Sequence, residues 1–417
     1  MANPHVADHA PAPTSQGVSA LAPVTVPKRT GGGGPRVRRP LLSRLLPGAG
    51  PALALFAAIR VAGIAAIAVV NHMAGHPLLK GLAHSWDSAW YQHIARSGYG
   101  TYVHILPTTG AVQRDWAFFP LYPGLIRALY TVLPVTPGSA ALLIAWAAAG
   151  AAAYGIYAIG HHLYGRAVAT ALVGVWGALP HSVVLNIAYT EPLFAALAAW
   201  SLYAVLKGRW LWAGSLAALA GLTRPTGFAV AAALGIVAVH EIIRWRGRVP
   251  VGLWIGAAIA PLGWVGFVLW VGDHTGDLLG GYFTVQRAWD SRFDFGLGSL
   301  HFLKGLLLHG GRVVYPMALV IVAAAVLLFC LLCFERVPLA LIVYAGILLL
   351  VTVGGSGPYA SKPRFLVPAF PLLIPLALAF ARTWRTRPKK AFLLGASLVF
   401  VSVAYGTYLM AGNPTPL

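Results

Sequence analysis

Residues 51–74 read "PALALFAAIRVAGIAAIAVVNHMA", an apolar run that holds a single charged residue, Arg60. An α-helix rises about 1.5 Å per residue, so a run of this length crosses a hydrocarbon core about 30 Å thick. Comparable apolar runs recur along most of the chain. Backbone groups within lipid must be paired inside their own segment, which favours helices. The sequence therefore predicts an all-α, polytopic membrane protein.

The composition supports this class and excludes another. The 417 residues are 58% hydrophobic and only 10% charged, whereas soluble domains are about a quarter charged. The formal net charge of +20 is typical of nucleic-acid-binding proteins when the chain is soluble. Here most Lys and Arg residues flank the ends of apolar runs that we assign to the cytoplasmic side, as the positive-inside rule requires. Nucleic acid is therefore excluded as a partner.

Basic flanks and apolar runs together predict about eleven transmembrane helices with the N-terminus in the cytoplasm. The predicted spans are 51–74, 138–163, 167–181, 190–206, 210–222, 225–243, 250–272, 313–334, 337–354, 364–382 and 391–411. An odd number of crossings places the C-terminus outside. The expected location is the cell (plasma) membrane, with multiple passes and the active site facing outside.

Three parts of the chain follow from this topology. Residues 1–50 are rich in Pro, Gly and Arg and lack hydrophobic periodicity, so we expect a disordered, basic cytoplasmic tail. Residues 51–411 form the membrane domain, and 412–417 a short outer tail. Two large loops of the membrane domain, 75–137 and 273–312, lie outside, and the first should contain interfacial helices.

Two outward turns are expected to lie below the membrane surface. The turns "PHSVVLNIAYTEP" (180–192) and "GLTRPTG" (221–227) each join paired spans that have few residues to spare, so some of these helices must be short. Irregular backbone at membrane depth is tolerated where it lines protein or a water-filled cavity. We therefore expect a recessed cavity that opens outward.

Asp87 lies in "SWDSAWYQHIARSGYG" (85–100), just after the first predicted span. One interpretation is a short acid that caps the helix beginning at Ser88. The other is a carboxylate at the mouth of the cavity, placed to accept a proton from a substrate hydroxyl. The neighbouring aromatic residues Trp86, Trp90 and Tyr91 are candidates for substrate binding and for holding Asp87 at the membrane interface.

Four further ionisable residues lie near the outer ends of spans. Arg224 is a candidate for binding a phosphate bidentately, or for a structural ion pair with Glu191. Glu191 could instead stabilise the start of a helix before Pro192. Arg364 and Lys362 could bind an anionic lipid headgroup or simply reach the outer interface.

Weaker candidates lie in the two outward loops. Asp115 is a secondary acid that could instead pair with Arg114. Gln286 and Arg287, in "TVQRAWDSRFDFG" (284–296), suit sugar or headgroup recognition but also any solvated loop. No cofactor or metal is expected: Cys330 and Cys333 lie three residues apart in an apolar span, with no further Cys to complete a tetrahedral zinc site.

Five segments, taken in order, resemble one enzyme family. They are "HSWDSAWYQHIARSGY" (84–99), "AFFPLYPGLIR" (117–127), "VVLNIAYTEPLFAALAAWSLY" (183–203), "GLTRPTGF" (221–228) and "KPRFLVPAFPLLIPLA" (362–377). Together they resemble the PIG-V type mannosyltransferases (GPI mannosyltransferase 2-like) of the GT-C superfamily of membrane glycosyltransferases. The compact, Arg- and Gly-rich chain is most similar to a bacterial member.

The resemblance implies a polyprenyl-phosphate-linked mannose donor, an inverting transfer, and an acceptor that is a lipid, a glycan or a protein. Asp87 matches the family's catalytic Asp in the first outward loop. A transporter or lipid flippase with an outward polar cavity is the main alternative, and a non-catalytic membrane scaffold is another.

Overall fold

The structure, a computed structural model, describes residues 48–75, 77–107 and 109–411. The predicted tail 1–50 therefore lies outside the described residues except for its last three, and so does the predicted tail 412–417. The described chain is almost entirely helical, as predicted.

Eighteen α-helices follow one another along the described residues. They are α1 (Ala49–Met73), α2 (Leu78–Ala83), α3 (Ser88–Ser97), α4 (Leu121–Val132), α5 (Pro137–Tyr164), α6 (Arg166–Gly177), α7 (Glu191–Leu206), α8 (Trp210–Gly221), α9 (Phe228–Arg244), α10 (Val251–Ile259), α11 (Leu262–Thr275), α12 (Gly281–Ala288), α13 (Leu297–His309), α14 (Val314–Phe334), α15 (Leu339–Gly354), α16 (Lys362–Leu366), α17 (Ile374–Thr386) and α18 (Pro388–Ala411).

Six of the described helices are long and apolar enough to cross a membrane, with α10 and α11 forming one continuous segment. A seventh crossing exists if α16 and α17 count as one bent span. The helices α6, α7, α8 and α15 are apolar but short. A helix of 12 residues, such as α6, extends only about 18 Å. Short helices were predicted in this region, and the count of eleven crossings stays a prediction.

One predicted span is not continuous. The sequence predicts a single span over 364–382, but the chain bends by 77° between Tyr359–Leu366 and Phe370–Thr386. Pro368 and Pro371 interrupt the helical hydrogen bonding at this point. The freed carbonyl groups are bonded within the protein, because Trp176 Nε1 donates to the Val367 carbonyl and Tyr344 Oη donates to the Pro368 carbonyl. The bend directs α16 away from the axis of α17.

Small residues allow neighbouring helices to approach closely. A Cβ atom on Gly214 of α8 would collide with the Gly256 carbonyl of α10, and one on Gly263 of α11 would collide with the Ala218 carbonyl of α8. Close packing of small residues is a usual source of helix association in membranes. α7 packs between α5 and α8, and α1 packs against α6 and α18.

Arg60 stabilises the C-terminal end of α6. Its guanidinium donates to the carbonyls of Gly177, the last residue of α6, and Ser182, and also to Ser182 Oγ. Carbonyl groups at a helix C-terminus have no partners in the helix, and a cation there is favourable. The side chain is buried. The charged residue that the sequence placed inside the first span thus stabilises a recessed turn.

The loop 75–137, which the sequence predicts to lie outside, contains helices, as expected, and one short hairpin that was not predicted. Its helices include α3 and α4. β1 (Val103–Ile105) and β2 (Val112–Arg114) pair antiparallel, with Val103 opposite Arg114. The loop is attached to both recessed turns: the Ala188 N–H donates to the Leu82 carbonyl, and the Leu121 N–H donates to the Leu222 carbonyl.

Candidate functional site

Four charged side chains from distant parts of the sequence meet beside the recessed turns. Asp87 immediately precedes α3, Glu191 begins α7, Arg224 lies in the turn between α8 and α9, and Arg364 lies in α16. Both predicted turns, 180–192 and 221–227, are almost wholly buried. We refer to these four residues as the charged quartet. All four were selected from the sequence, and the structure brings them together.

The quartet forms a continuous line of ion pairs. Arg364 Nη1 lies 2.7 Å from Asp87 Oδ2, and Arg224 Nη1 lies 2.8 Å from Glu191 Oε1. A longer contact of 3.9 Å joins Arg364 Nε to the same Glu191 oxygen. The Asp87 side chain is 20% exposed, whereas Glu191 is only 2% exposed. Asp87 is thus the carboxylate that a substrate can reach.

Asp87 occupies the N-cap position of α3, but its carboxylate makes no capping hydrogen bond. It binds Arg364 instead, and the Asp87 N–H donates to Tyr189 Oη over 3.3 Å. The preceding residue, Trp86, has φ of +47°. This left-handed conformation costs a non-glycine residue about 1 kcal/mol and occurs often at functional sites. The capping interpretation therefore does not explain the position of the Asp87 carboxylate.

The ion pair between Arg224 and Glu191 leaves hydrogen-bond donors unused. Nη1 lies 2.8 Å from Glu191 Oε1, an ion-pair distance. Neither Nε nor Nη1 makes a hydrogen bond to the described residues. The guanidinium is buried and lies over the rings of Phe194 and Phe365, with Cζ 5.9 and 5.4 Å from their centroids. The structural pair weighed from the sequence exists, but it does not saturate Arg224.

Neutral hydroxyl groups surround the carboxylates. Tyr91 Oη lies 3.4 Å from Thr190 Oγ1, and Ser88 Oγ donates to the Ala188 carbonyl. Burial raises the pKa of the Tyr91 hydroxyl, and the charges of Asp87 and Glu191 raise it further. Tyr91 therefore keeps its proton at neutral pH and remains a hydrogen-bond donor.

Lys362 does not join the quartet. Its Nζ donates to the carbonyls of Thr352 and Gly355 over 2.7 and 2.6 Å, so it pairs with the C-terminal end of α15. The side chain is buried, and the interpretation that Lys362 reaches the outer interface is wrong. Two carbonyl groups compensate the charge of Lys362, whereas the sequence suggested that an anionic headgroup would do so.

Asp115 makes its contacts within the first of the two large loops, residues 75–137. Asp115 is buried and accepts from the Gly100 N–H through both carboxylate oxygens, at 2.9 and 3.1 Å. Its predicted alternative partner Arg114 lies instead over the Trp116 ring, 5.2 Å from the centroid. Asp115 thus shapes the chain after α3.

Trp90 and Gln286 lie at the contact between these loops. The Trp90 ring stacks on Phe118 and meets Trp289 edge-on. Gln286 Nε2 donates to the Ala117 carbonyl over 3.1 Å. Arg287 is exposed on the same helix, α12. These residues position the outward loops, and their direct role in substrate binding stays a prediction.

Sequence reasoning missed two aromatic residues of the site. Tyr189 accepts from the Asp87 N–H, and its ring lies under Arg364, 5.3 Å from Cζ. Phe365 lies under both arginines of the quartet. Phe365 follows Arg364 directly, and Tyr189 lies two positions before Glu191. This proximity in sequence is the only signal that could have identified them among the many aromatic residues of the chain.

The described residues contain no group of three or more His, Cys, Asp and Glu side chains that could hold a metal ion. Cys330 and Cys333 are free and exposed on α14.

Comparison with known proteins identifies the fold through solved structures. No protein-family model matches the chain, and no curated protein does. ArnT from Cupriavidus metallidurans, in a crystal structure with bound undecaprenyl phosphate, aligns with a TM-score of 0.50 and 14% identity, over 87% of this chain and 76% of ArnT.

The oligosaccharyltransferase AglB from Archaeoglobus fulgidus, in complex with an inhibitory peptide and a dolichol-phosphate, aligns with a TM-score of 0.50 and 12% identity over 87% of this chain. This chain covers 56% of AglB, and thus little more than half of the larger protein. Both similarities concern the fold. The chain therefore has an all-α, polytopic membrane fold similar to that of ArnT and AglB.

Proposed function

We propose that the protein is a membrane glycosyltransferase that moves a mannosyl residue from a polyprenyl-phosphate donor to a hydroxyl acceptor at the outer face of the cell membrane. The single observation that carries this proposal is the charged quartet, in which a reachable carboxylate lies beside two arginines with unused donors. The GT-C fold supports a glycosyltransferase, and the similar structures contain undecaprenyl phosphate and dolichol-phosphate. The sequence resemblance supports mannose.

The reaction requires a base and a stabilised leaving group. The acceptor oxygen attacks the anomeric carbon, the bond from that carbon to the phosphate oxygen breaks, and the lipid phosphate leaves with the electron pair. Asp87 takes the proton of the acceptor hydroxyl. A single displacement of this kind inverts the anomeric configuration.

Arg364 and Arg224 suit the charge that develops on the phosphate. Arginine presents planar donors that match phosphate oxygens, and preorganised donors at developing charge are a large source of catalysis. Within the described part of the chain, Arg224 Nε and Arg364 Nε make no hydrogen bond, and Arg224 Nη1 contacts Glu191 only as an ion pair. A bound phosphate would therefore gain hydrogen bonds that the free protein leaves unmade.

The ion pair of Asp87 and Arg364 orders these events. In the free protein Asp87 Oδ2 accepts a hydrogen bond from Arg364 Nη1 over 2.7 Å. A donor phosphate competes with Asp87 for Arg364, and its arrival therefore releases this carboxylate oxygen toward the acceptor hydroxyl. Glu191, buried against both arginines, remains as their fixed counter-charge. The base is thus most active when the donor is in place.

A transfer assay tests the proposal against the transporter alternative. Purified protein is incubated with polyprenyl-phosphate-mannose and candidate lipid, glycan or peptide acceptors, and products are weighed by mass spectrometry. A panel of donors carrying other sugars tests the choice of mannose. We expect a product heavier than the acceptor by one hexose. Movement of the donor lipid across reconstituted vesicles without any transfer would instead establish a carrier.

A further inference from the structure

Phe365 lies where the two arginines of the site converge. The Cζ atoms of Arg224 and Arg364 lie 5.4 and 5.1 Å from the centroid of its ring. Each guanidinium also lies over a second ring, Phe194 for Arg224 and Tyr189 for Arg364. Phe365 is the aromatic residue that the two cations share.

Two guanidiniums held this close repel each other, and they share Glu191 as a counter-charge, while Arg364 also pairs with Asp87. Both contact the same Glu191 oxygen, Arg224 through Nη1 at 2.8 Å and Arg364 through Nε at 3.9 Å. The face of an aromatic ring attracts a cation through its quadrupole, and the attraction grows as the pair is removed from water. A ring that two cations contact therefore attracts both.

An aromatic ring differs from a carboxylate in what it leaves free. A second acid at this position would neutralise the arginines and occupy their N–H groups, whereas a ring accepts few hydrogen bonds from guanidinium edges. An aliphatic side chain would fill the space without attracting either cation. Arg224 and Arg364 have nitrogens that make no hydrogen bond to the described residues. This is what an aromatic neighbour, rather than an acidic one, would leave.

We propose that Phe365 is a positioning residue that holds both guanidiniums toward one phosphate-binding point with their donors free. The ring is half-buried and belongs to the short helix α16, at the end of the bent span. Asp87 comes to the site from a distant part of the sequence. This proposal rests on the proposed function only in taking the anion to be the phosphate of a lipid-linked donor.

A series of fluorinated phenylalanines at position 365 tests the role without changing the shape of the side chain greatly. Mono-, di- and trifluorination progressively weaken the negative face of the ring. The readouts are the Kd for a polyprenyl phosphate, the Kd for inorganic phosphate, and the melting temperature of the ligand-free protein. Phe380 on α17 is a matched control, since it is also half-buried and stacks on Trp384, with no cation over its ring in the described part of the chain.

We expect the Kd for polyprenyl phosphate to rise at each step, by about tenfold over the whole series, because two cation–π contacts weaken together. Melting temperature should fall stepwise at position 365 and stay level at position 380. Phe365→Tyr should bind like the wild type, and Phe365→Leu like the trifluorinated protein. A rise in Kd for the lipid form alone identifies a lipid phosphate, whereas equal rises for both probes identify a site for phosphate in general.

If neither the Kd nor the melting temperature changed along the fluorinated series, the positioning role of Phe365 would be wrong. If the wild-type protein bound no polyprenyl phosphate, the lipid-phosphate donor would be wrong, and the ligand-free melting series would still decide whether the ring holds the arginines.

Discussion

Asp87 Oδ2 and Arg364 Nη1 lie 2.7 Å apart although 277 positions separate the two residues in the chain. This contact joins the first outward loop to the bent span that contains α16. It also places the proposed base and the proposed phosphate-binding cation in direct contact, so neither would act independently of the other. Substitutions at the two ends of the contact should therefore have opposite effects on donor binding.

Asp87→Asn should remove transfer and keep donor binding. The amide cannot accept the acceptor's proton, and loss of a general base usually lowers the rate by about 10² to 10⁴. Because the change also releases Arg364 from its carboxylate, affinity for polyprenyl phosphate should equal or exceed that of the wild type. Turnover by mass spectrometry and lipid binding by thermal shift measure the two effects.

Asp273→Asn is the control for this change, since Asp273 is 80% exposed and lies outside the quartet. It should leave both quantities unaltered. Wild-type turnover in Asp87→Asn would mean that another group accepts the proton.

Arg224→Lys should weaken donor binding more than it destabilises the fold. Lysine keeps the charge near Glu191 but lacks the planar set of donors that matches phosphate, including the two nitrogens that have no acceptor in the free protein. Affinity for polyprenyl-phosphate-mannose and melting temperature should be measured on the same preparations. Unchanged affinity in both Arg224→Lys and Arg224→Ala would remove Arg224 from the binding site.

Glu191→Gln should destabilise the protein and strengthen its binding of anions. Removing one partner of a buried ion pair costs about 3 to 5 kcal/mol, because the other charge is left uncompensated. The two guanidiniums that Glu191 contacts would then attract a phosphate more strongly. Melting temperature without ligand should fall, and the rise on adding polyprenyl phosphate should be larger than in the wild type.

Glu241→Gln, near the far end of α9, provides a comparison because, among the described residues, the Glu241 side chain binds only the indole of Trp245. Weaker lipid binding in Glu191→Gln would contradict its assignment as a counter-charge.

The sequence could predict the four members of the quartet because charged groups at membrane depth are rare and conspicuous. Arg224 and Glu191 stood out in short apolar surroundings for this reason. Tyr189 and Phe365 could not be selected in the same way, since aromatic residues make up 11% of the chain and their use depends on which cation lies above them.

Long-range contacts explain the remaining differences between prediction and structure. The sequence showed Lys362 next to Arg364 near the outer surface, but only the fold brings the end of α15 over its ammonium group. The bend after α16 likewise depends on Trp176 and Tyr344, which are distant in sequence. Apolar length alone predicted a straight span there.

Arg60→Met should destabilise the fold without altering donor affinity. The change leaves the Ser182 carbonyl without its buried Arg60 donor and removes one of the two donors to the Gly177 carbonyl, which keeps Ser182 Oγ. An unsatisfied buried group costs about 1 to 3 kcal/mol. Arg60 contacts no member of the quartet through a described hydrogen bond or ion pair, so the protein that remains folded should bind polyprenyl phosphate normally. Chemical unfolding in detergent and lipid titration measure these quantities, and a selective loss of affinity would make Arg60 part of the site.

The last prediction concerns the side of the membrane on which the quartet lies. The distribution of Lys and Arg places the loops after α7, α9 and α17 in the cytoplasm and both large loops outside. Single cysteines at Thr101 and Ser291 should react with a membrane-impermeant reagent added to intact cells, because both residues are exposed. Cysteines at Arg209 and Lys389 should react only after the membrane is opened. Cys330 and Cys333 are first replaced by serine, and this background protein should show no labelling under either condition. Labelling of Thr101→Cys only from the cytoplasmic side would place Asp87 inside the cell and overturn transfer at the outer face.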